Sequence, residues 1–261
     1  MNLKELYLGG NEIKSLGSLV QEKEGMKLNK LEVLSLSHNL INNTIFSSLA
    51  ELSNLKSLDL SDNELEGAIY TKDLNALSNL EELILFENEV NGFIPSQGLR
   101  LLNLKVLHLS VNHLSNSVMS SLATLSNLKT LWIDISKFNG LIDMEGLYGF
   151  SNLEELYMFC INLFADADAD CSFSLQSLGL FPTLKTLYLF GFNINETTMA
   201  SYPHNNLYGL RNLEELYMIC NTDCSFSLQT LGLFPTLKTL SLQGFNINKT
   251  SMASYSHNSK F

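Results

Sequence analysis

Leu80-Glu81-Glu82-Leu83-Ile84-Leu85-Phe86-Glu87-Asn88-Glu89-Val90 decides the fold, because its spacing of leucines, one asparagine and a closing aliphatic residue returns throughout the chain. The same skeleton reads Leu3-Leu6-Leu8-Asn11-Ile13, Leu31-Leu34-Leu36-Asn39-Ile41, Leu55-Leu58-Leu60-Asn63-Leu65 and Leu104-Leu107-Leu109-Asn112-Leu114. A looser unit, Leu128-Leu131-Ile133-Ser136-Phe138, follows, and four more start at Leu153, Leu184, Leu213 and Leu237. Successive starts lie 24 to 31 residues apart, and self-similarity at such a period marks a stacked-repeat architecture.

The physics of one unit fixes the rest. Leucine alternating with other residues at period 2 is a short strand that turns every second side chain inward. One unit cannot bury its own leucine face, so neighbours must stack into a continuous core. The chain therefore reads as an α/β solenoid, a right-handed superhelix of about ten repeats. A parallel β-sheet forms its concave face, and short 3-10 or α segments and loops form its convex face. Residues 1–261 make one domain, with regular repeats over 1–150 and an irregular duplicated block over 151–261. The asparagine sits where the chain leaves the strand, and its amide both donates and accepts, so Asn11, Asn39, Asn63, Asn88 and Asn112 form a structural ladder that satisfies turn backbone. Later units place Ser136, Ile161, Phe192 and Phe245 there, with asparagine returning only at Asn221. Either the register shifts by one, since Asn193 and Asn246 follow directly, or the turns differ; less regular C-terminal repeats are expected.

Residues 153–206 and 213–258 are near copies; Leu178 through Leu187 match Leu231 through Leu240 residue for residue. The four cysteines fall in these copies, Cys160 and Cys171 standing 11 residues apart and Cys220 and Cys224 only 4. Cys160 and Cys220 occupy equivalent positions two strands apart, about 10 Å at the usual strand spacing, beyond the reach of a bridge. Pairing within each copy is the better geometry, with free buried thiols as the alternative. The acidic insert Ala165-Asp166-Ala167-Asp168-Ala169-Asp170 lacks the glycine and glutamate a calcium loop requires, having Cys171 and Ser177 there. It reads as a solvated loop, and no metal or cofactor is expected.

The residue between the second and third leucines points out of the sheet. Down the stack, Trp132, Tyr157, Tyr188 and Tyr217 fall there in consecutive units, and Phe86, Phe159 and Phe190 fall two residues further on. Aromatic rings bury large area at little entropic cost, so Trp132, Tyr157, Phe159, Tyr188, Phe190 and Tyr217 are the candidate ligand-binding strip. Asn42, Asn195 and Asn248 each begin an N-x-[ST] sequon just past a strand, as glycosylation candidates. No H-E-x-x-H, G-x-S-x-G or phosphate-loop pattern occurs, and His108 and His113 read as surface residues. No catalytic residue is assigned and no enzyme is expected. With 27 acidic against 16 basic residues and a net charge of −11, the chain shows no basic patch for nucleic acid.

The unit quoted first continues as Asn91-Gly92-Phe93-Ile94-Pro95, and Leu65-Glu66-Gly67-Ala68-Ile69 echoes it. With Leu58-Asp59-Leu60-Ser61-Asp62-Asn63 and Asn152-Leu153-Glu154-Glu155-Leu156, the chain resembles the leucine-rich-repeat ectodomains of plant receptor-like proteins. The resemblance implies an extracellular, plasma-membrane receptor in defence or developmental signalling. It also implies a protein or peptide ligand and a partner receptor kinase. The chain opens directly on a repeat and holds no run of 18 apolar residues. The expectation is therefore a fragment without end caps, touching a membrane only through segments outside this sequence. The competing expectations are a secreted inhibitor of a cell-wall-degrading enzyme and a cytosolic interaction module.

Overall fold

The computed structural model describes residues 2–17, 28–94, 99–136, 138, 150–160, 181–192, 211–226, 231–232 and 234–247. In chain order its elements are β1 (Glu5–Tyr7), β2 (Val33–Ser35), α1 (Ile45–Leu49), β3 (Ser57–Asp59), β4 (Glu66–Tyr70), α2 (Thr71–Leu74), β5 (Glu82–Ile84) and β6 (Glu89–Ile94). They continue as β7 (Val106–Leu109), α3 (Val118–Leu122), β8 (Thr130–Asp134), β9 (Glu155–Phe159), β10 (Thr186–Phe190), β11 (Glu215–Phe226) and β12 (Thr239–Ile247). One ten-stranded parallel sheet runs β1-β2-β3-β5-β7-β8-β9-β10-β11-β12, so each repeat contributes one strand and the solenoid is a leucine-rich-repeat stack. A smaller parallel pair, β4 with β6, lies past the asparagine turns and is made of the glycine-containing segments that carry the receptor-like resemblance.

Register explains the core. Leu34, Leu58, Leu83, Leu107, Leu131, Leu156, Leu187 and Leu216 lie side by side along the sheet, each no more than 1 % exposed. The equivalent leucines of the two outermost strands, Leu6 and Leu240, are only half-buried because each has a neighbour on one side alone. Helices α1, α2 and α3 close the opposite wall with Ile45, Phe46, Leu49, Leu74, Val118, Met119 and Leu122.

Between the walls runs the asparagine ladder. Asn88 Nδ2 donates to the carbonyls of Leu85 and Phe86 in its own turn and of Leu60 in the preceding repeat, while its Oδ1 accepts from Leu65 N–H. Asn39, Asn63 and Asn112 repeat this pattern, with Oδ1 accepting from Ile13, Ile41 and Val90 N–H. Asn11 is exposed and donates only to Leu8 and Gly9 of its own repeat. The residue before each ladder asparagine takes positive φ: Gly10 (71°), His38 (52°), Asp62 (51°), Glu87 (55°) and Val111 (55°). The turn thus demands a left-handed residue, and Val111 adopts it despite its β-branch.

Where asparagine is missing, the register does not shift. Phe192 enters the core at the ladder position, Phe245 packs half-buried against it, and Asn246 is exposed. β10 ends at Phe190, before its ladder position, whereas β11, which carries Asn221 there, and β12, which carries Phe245, run on past it. β11 and β12 pair as far as Phe226 with Ile247, interrupted by an irregularity between Ile219 and Cys224. The Cys220–Cys224 disulfide closes that irregularity. Gly244 lies opposite with φ +77°, and a Cβ there would stand 2.5 Å from the Cys220 carbonyl oxygen, so only glycine fits.

Replacing Asn88 by Ala leaves buried carbonyls and the Leu65 N–H unpaired, and is expected to cost roughly 3 kcal/mol in urea unfolding. Gly244→Ala is expected to lower the unfolding midpoint as well, because both φ and the Cys220 carbonyl oppose a methyl group; an unchanged midpoint would contradict the close approach.

Candidate functional site

Two surfaces run the length of the stack, and their chemistry differs. On one flank the residue after each first leucine alternates in charge: Lys4, Glu32, Lys56, Glu81 and Lys105, then Lys129, Glu154, Lys185, Glu214 and Lys238. Glu32 bridges Lys4 and Lys56 at 2.6 and 2.8 Å, and Glu154 bridges Lys129 and Lys185 at 2.7 and 2.6 Å. The two flanking ammonium groups hold each of these carboxyls down at about 2. Two residues earlier, a second amide ladder ties the repeats together: Asn54, Asn79, Asn103, Asn127 and Asn152 donate to carbonyls of the preceding repeat. In the duplicated block Thr183 and Thr236 take that role on either side of Asn212, which donates to the Pro182 carbonyl. A groove overlies this flank between Lys129 and Thr236. Its charges already neutralise one another, so it offers a ligand little unsatisfied chemistry.

The concave face differs. Cross-strand register places His108 beside Trp132, Trp132 beside Tyr157, Tyr157 beside Tyr188 and Tyr188 beside Tyr217. Their rings touch in an unbroken column: Phe86–His108 at 5.0 Å between centroids, His108–Trp132 at 5.1 Å, Trp132–Tyr157 stacked at 4.6 Å, Tyr157–Tyr188 at 6.1 Å and Tyr188–Tyr217 at 6.0 Å. Phe159 and Phe190 form a second row beside it, Phe159 lying 5.9 Å from Tyr188 and 6.3 Å from Phe190. All these rings are half-buried, each covered by its neighbours and open toward the concavity. Separations of this size are the favourable range for ring–ring contact.

Polar groups border the rings. Tyr157 donates to Glu155 and Tyr217 to Glu215, both at 3.3 Å. Burial, with the Glu155 carboxylate beside it, pushes the Tyr157 phenol up to about 12. Burial, with Glu215 beside it, also raises the Tyr217 phenol. Burial between Phe86 and Trp132 presses His108 down to about 4, only partly opposed by the Asp59 carboxylate, so the imidazole is neutral at neutral pH. Ser110, in the row between Phe86 and Asp134, is 3 % exposed and its hydroxyl has no hydrogen-bond partner.

The structure therefore brings Trp132, Tyr157, Phe159, Tyr188, Phe190 and Tyr217 into one patch and adds two members. Phe86 lies in the outward row two residues before a ladder asparagine. His108, read from sequence as a surface residue, belongs to the column, whereas His113 is exposed. Asn42 is exposed, and its Oδ1 accepts from Thr44 N–H at 3.1 Å and Thr44 Oγ1–H at 2.6 Å. Asn195, Asn248, Cys171 and the acidic insert lie outside the described residues; Cys160 is disulfide-bonded. Among the described residues no group of three His, Cys, Asp or Glu is placed to hold a metal ion, and no helix is long and apolar enough to cross a membrane.

Comparison with known proteins agrees with this architecture. Leucine Rich Repeat family models match residues 30–52 and 51–69. Over 73 residues the chain is 41 % identical to Cuscuta receptor 1 of Solanum lycopersicum, a match spanning 28 % of this chain and 6 % of the receptor. Among solved structures, the plant peptide hormone receptor RGFR1 in complex with RGF2 superposes with a TM-score of 0.51 at 22 % identity, over 94 % of this chain and 44 % of that one. The leucine-rich-repeat ectodomain of the Arabidopsis receptor kinase HAESA, in complex with an IDA peptide hormone, gives 0.53 at 25 % identity, over 84 % and 34 %. TLR13 with ssRNA13 gives 0.61 at 23 % identity, over 85 % and 29 %. The chain contains leucine-rich repeats and shares the fold of these receptor structures, and it spans less than half their length.

Because His108 titrates below the ordinary histidine value, an unfolded chain takes up its proton first as pH falls. Its contribution to stability is complete above about pH 6.5 and is lost progressively toward pH 4. The thermal midpoint is expected to fall across that window, and His108→Phe to remove part of the fall; identical profiles would show that the imidazole is not held neutral.

Proposed function

We propose that this chain is the ligand-recognising repeat domain of a plant cell-surface receptor, and that it binds a peptide along its concave face without catalysing a reaction. The observation that carries the proposal is the unbroken ring column from Phe86 to Tyr217, crossing six consecutive strands of the main sheet. A row of half-open aromatic side chains on a rigid sheet is pre-organised contact area. Little side-chain entropy remains to be lost when a ligand covers it. The similarity to Cuscuta receptor 1, and to receptor ectodomains whose structures contain peptide hormones, supports the same reading. In this reading the domain faces the outside of the cell, Asn42 carries a glycan, and a partner receptor kinase relays the signal.

The test is a peptide-display selection against the folded chain, followed by titration of the selected peptides. Tyr157→Ala together with Tyr188→Ala is expected to weaken binding by at least 30-fold, the loss typical of two central aromatic anchors. Unchanged affinity in a variant that unfolds at the same temperature would sink the proposal.

A further inference from the structure

The concave face carries one sign of charge. At the three outward positions of each repeat (two, four and six residues after the first leucine) stand six carboxylates: Glu5, Asp59, Glu82, Asp134, Glu155 and Glu215. No lysine or arginine occupies any of these positions. The flank lysines nearest the aromatic patch form their ion pairs with Glu154 and Glu214 instead. Three of the concave carboxylates form a repeated unit with a ring; Glu5 accepts from Tyr7 at 3.2 Å on the outermost strand β1, away from the aromatic column. Glu155 on β9 is held by the Tyr157 hydroxyl and Glu215 on β11 by the Tyr217 hydroxyl, at the same 3.3 Å. A cation set against either unit meets a carboxylate at the rim of the ring column, and a carboxylate favours a guanidinium or ammonium group.

We infer that the Glu155–Tyr157 and Glu215–Tyr217 units receive two basic side chains of one extended peptide, spaced three residues apart. The inference rests on the concave-face reading above and specifies its ligand. The spacing follows from the sheet. β9 and β11 flank β10 directly, so equivalent side chains on them stand two strand spacings apart, about 10 Å. A polyproline-II chain has three residues per turn and rises ~3.1 Å per residue, so residues i and i+3 point the same way about 9 Å apart. The two intervening residues pass over Tyr188, whose ring lies 6.1 Å from Tyr157 and 6.0 Å from Tyr217. Small or cyclic side chains suit them.

Trp132, the one tryptophan of the chain, stacks on Tyr157 and reports occupancy by its fluorescence. Blocked Arg-Pro-Pro-Arg is titrated alongside Arg-Pro-Arg and Glu-Pro-Pro-Glu. The expected order is Arg-Pro-Pro-Arg tightest, at least ten-fold tighter than Glu-Pro-Pro-Glu, with affinity falling as salt rises. Glu155→Gln with Glu215→Gln is expected to remove that advantage while the unfolding midpoint stays in place. Glu154→Gln with Glu214→Gln, which changes the charge equally on the flank, is expected to leave binding intact. Equal binding of acidic and basic peptides, equal binding of the two arginine spacings, or equal loss in both variant pairs overturns this inference and leaves concave-face peptide binding standing. If none of the three peptides perturbs Trp132 but display-selected peptides do, the basic-pair assignment alone is wrong. If neither set does, both readings fall.

Discussion

Parallel strands in one sheet sit at a fixed separation near 4.8 Å, and that spacing governs everything else in this molecule. Whatever residue occupies a given place in the repeat stands beside its counterpart in the next repeat. Chemistry that tolerates its own kind can therefore be repeated, and chemistry that does not must alternate. Leucine packs against leucine, and the core column forms. An asparagine amide carries both donor and acceptor, so Asn39, Asn63, Asn88 and Asn112 bond into each other's turns without a second residue type. Aromatic rings stack on rings. A column of lysines alone would repel itself, and the chain alternates Lys with Glu there.

The same constraint decides what was legible in the sequence. Leucine spacing inside a unit gave the strands, their direction and the outward column, because that information lies within about ten residues. The Lys–Glu alternation is not legible within one unit because it exists only between units: Glu32 gains its meaning from Lys4 and Lys56 on either side. The second amide ladder, from Asn54 to Asn152, hid for the same reason. His108 looked like an isolated surface histidine because the rings that enclose it, Phe86 and Trp132, are one repeat away in each direction.

The duplicated block shows how the fold adapts when a ladder residue is lost. Periodicity alone left two possibilities for Phe192 and Phe245, a slipped register or an altered turn. The register could not slip, since one step would turn Leu187, Leu216 and Leu240 out of the core. The turn changed instead. Phe192 fills the core at the ladder position just past the end of β10, while β11 and β12 run on beyond theirs, and Cys220–Cys224 with Gly244 accommodates the extra residues in β11.

The alternation of charge fails once, where Lys105 is followed by Lys129. The asparagine ladder ends in the same place, at Asn112. The stack is thus two electrically self-contained stretches, each running from lysine to lysine, and across their junction only the second amide ladder continues, with Asn127 donating to the Leu102 carbonyl. Backbone pairing of β7 with β8 and the contact of His108 with Trp132 span the joint. In a spring made of stacked coils, bending concentrates where adjacent coils are least coupled. The ring column crosses that point, so a molecule bound along it, as proposed above, would bridge the two stretches.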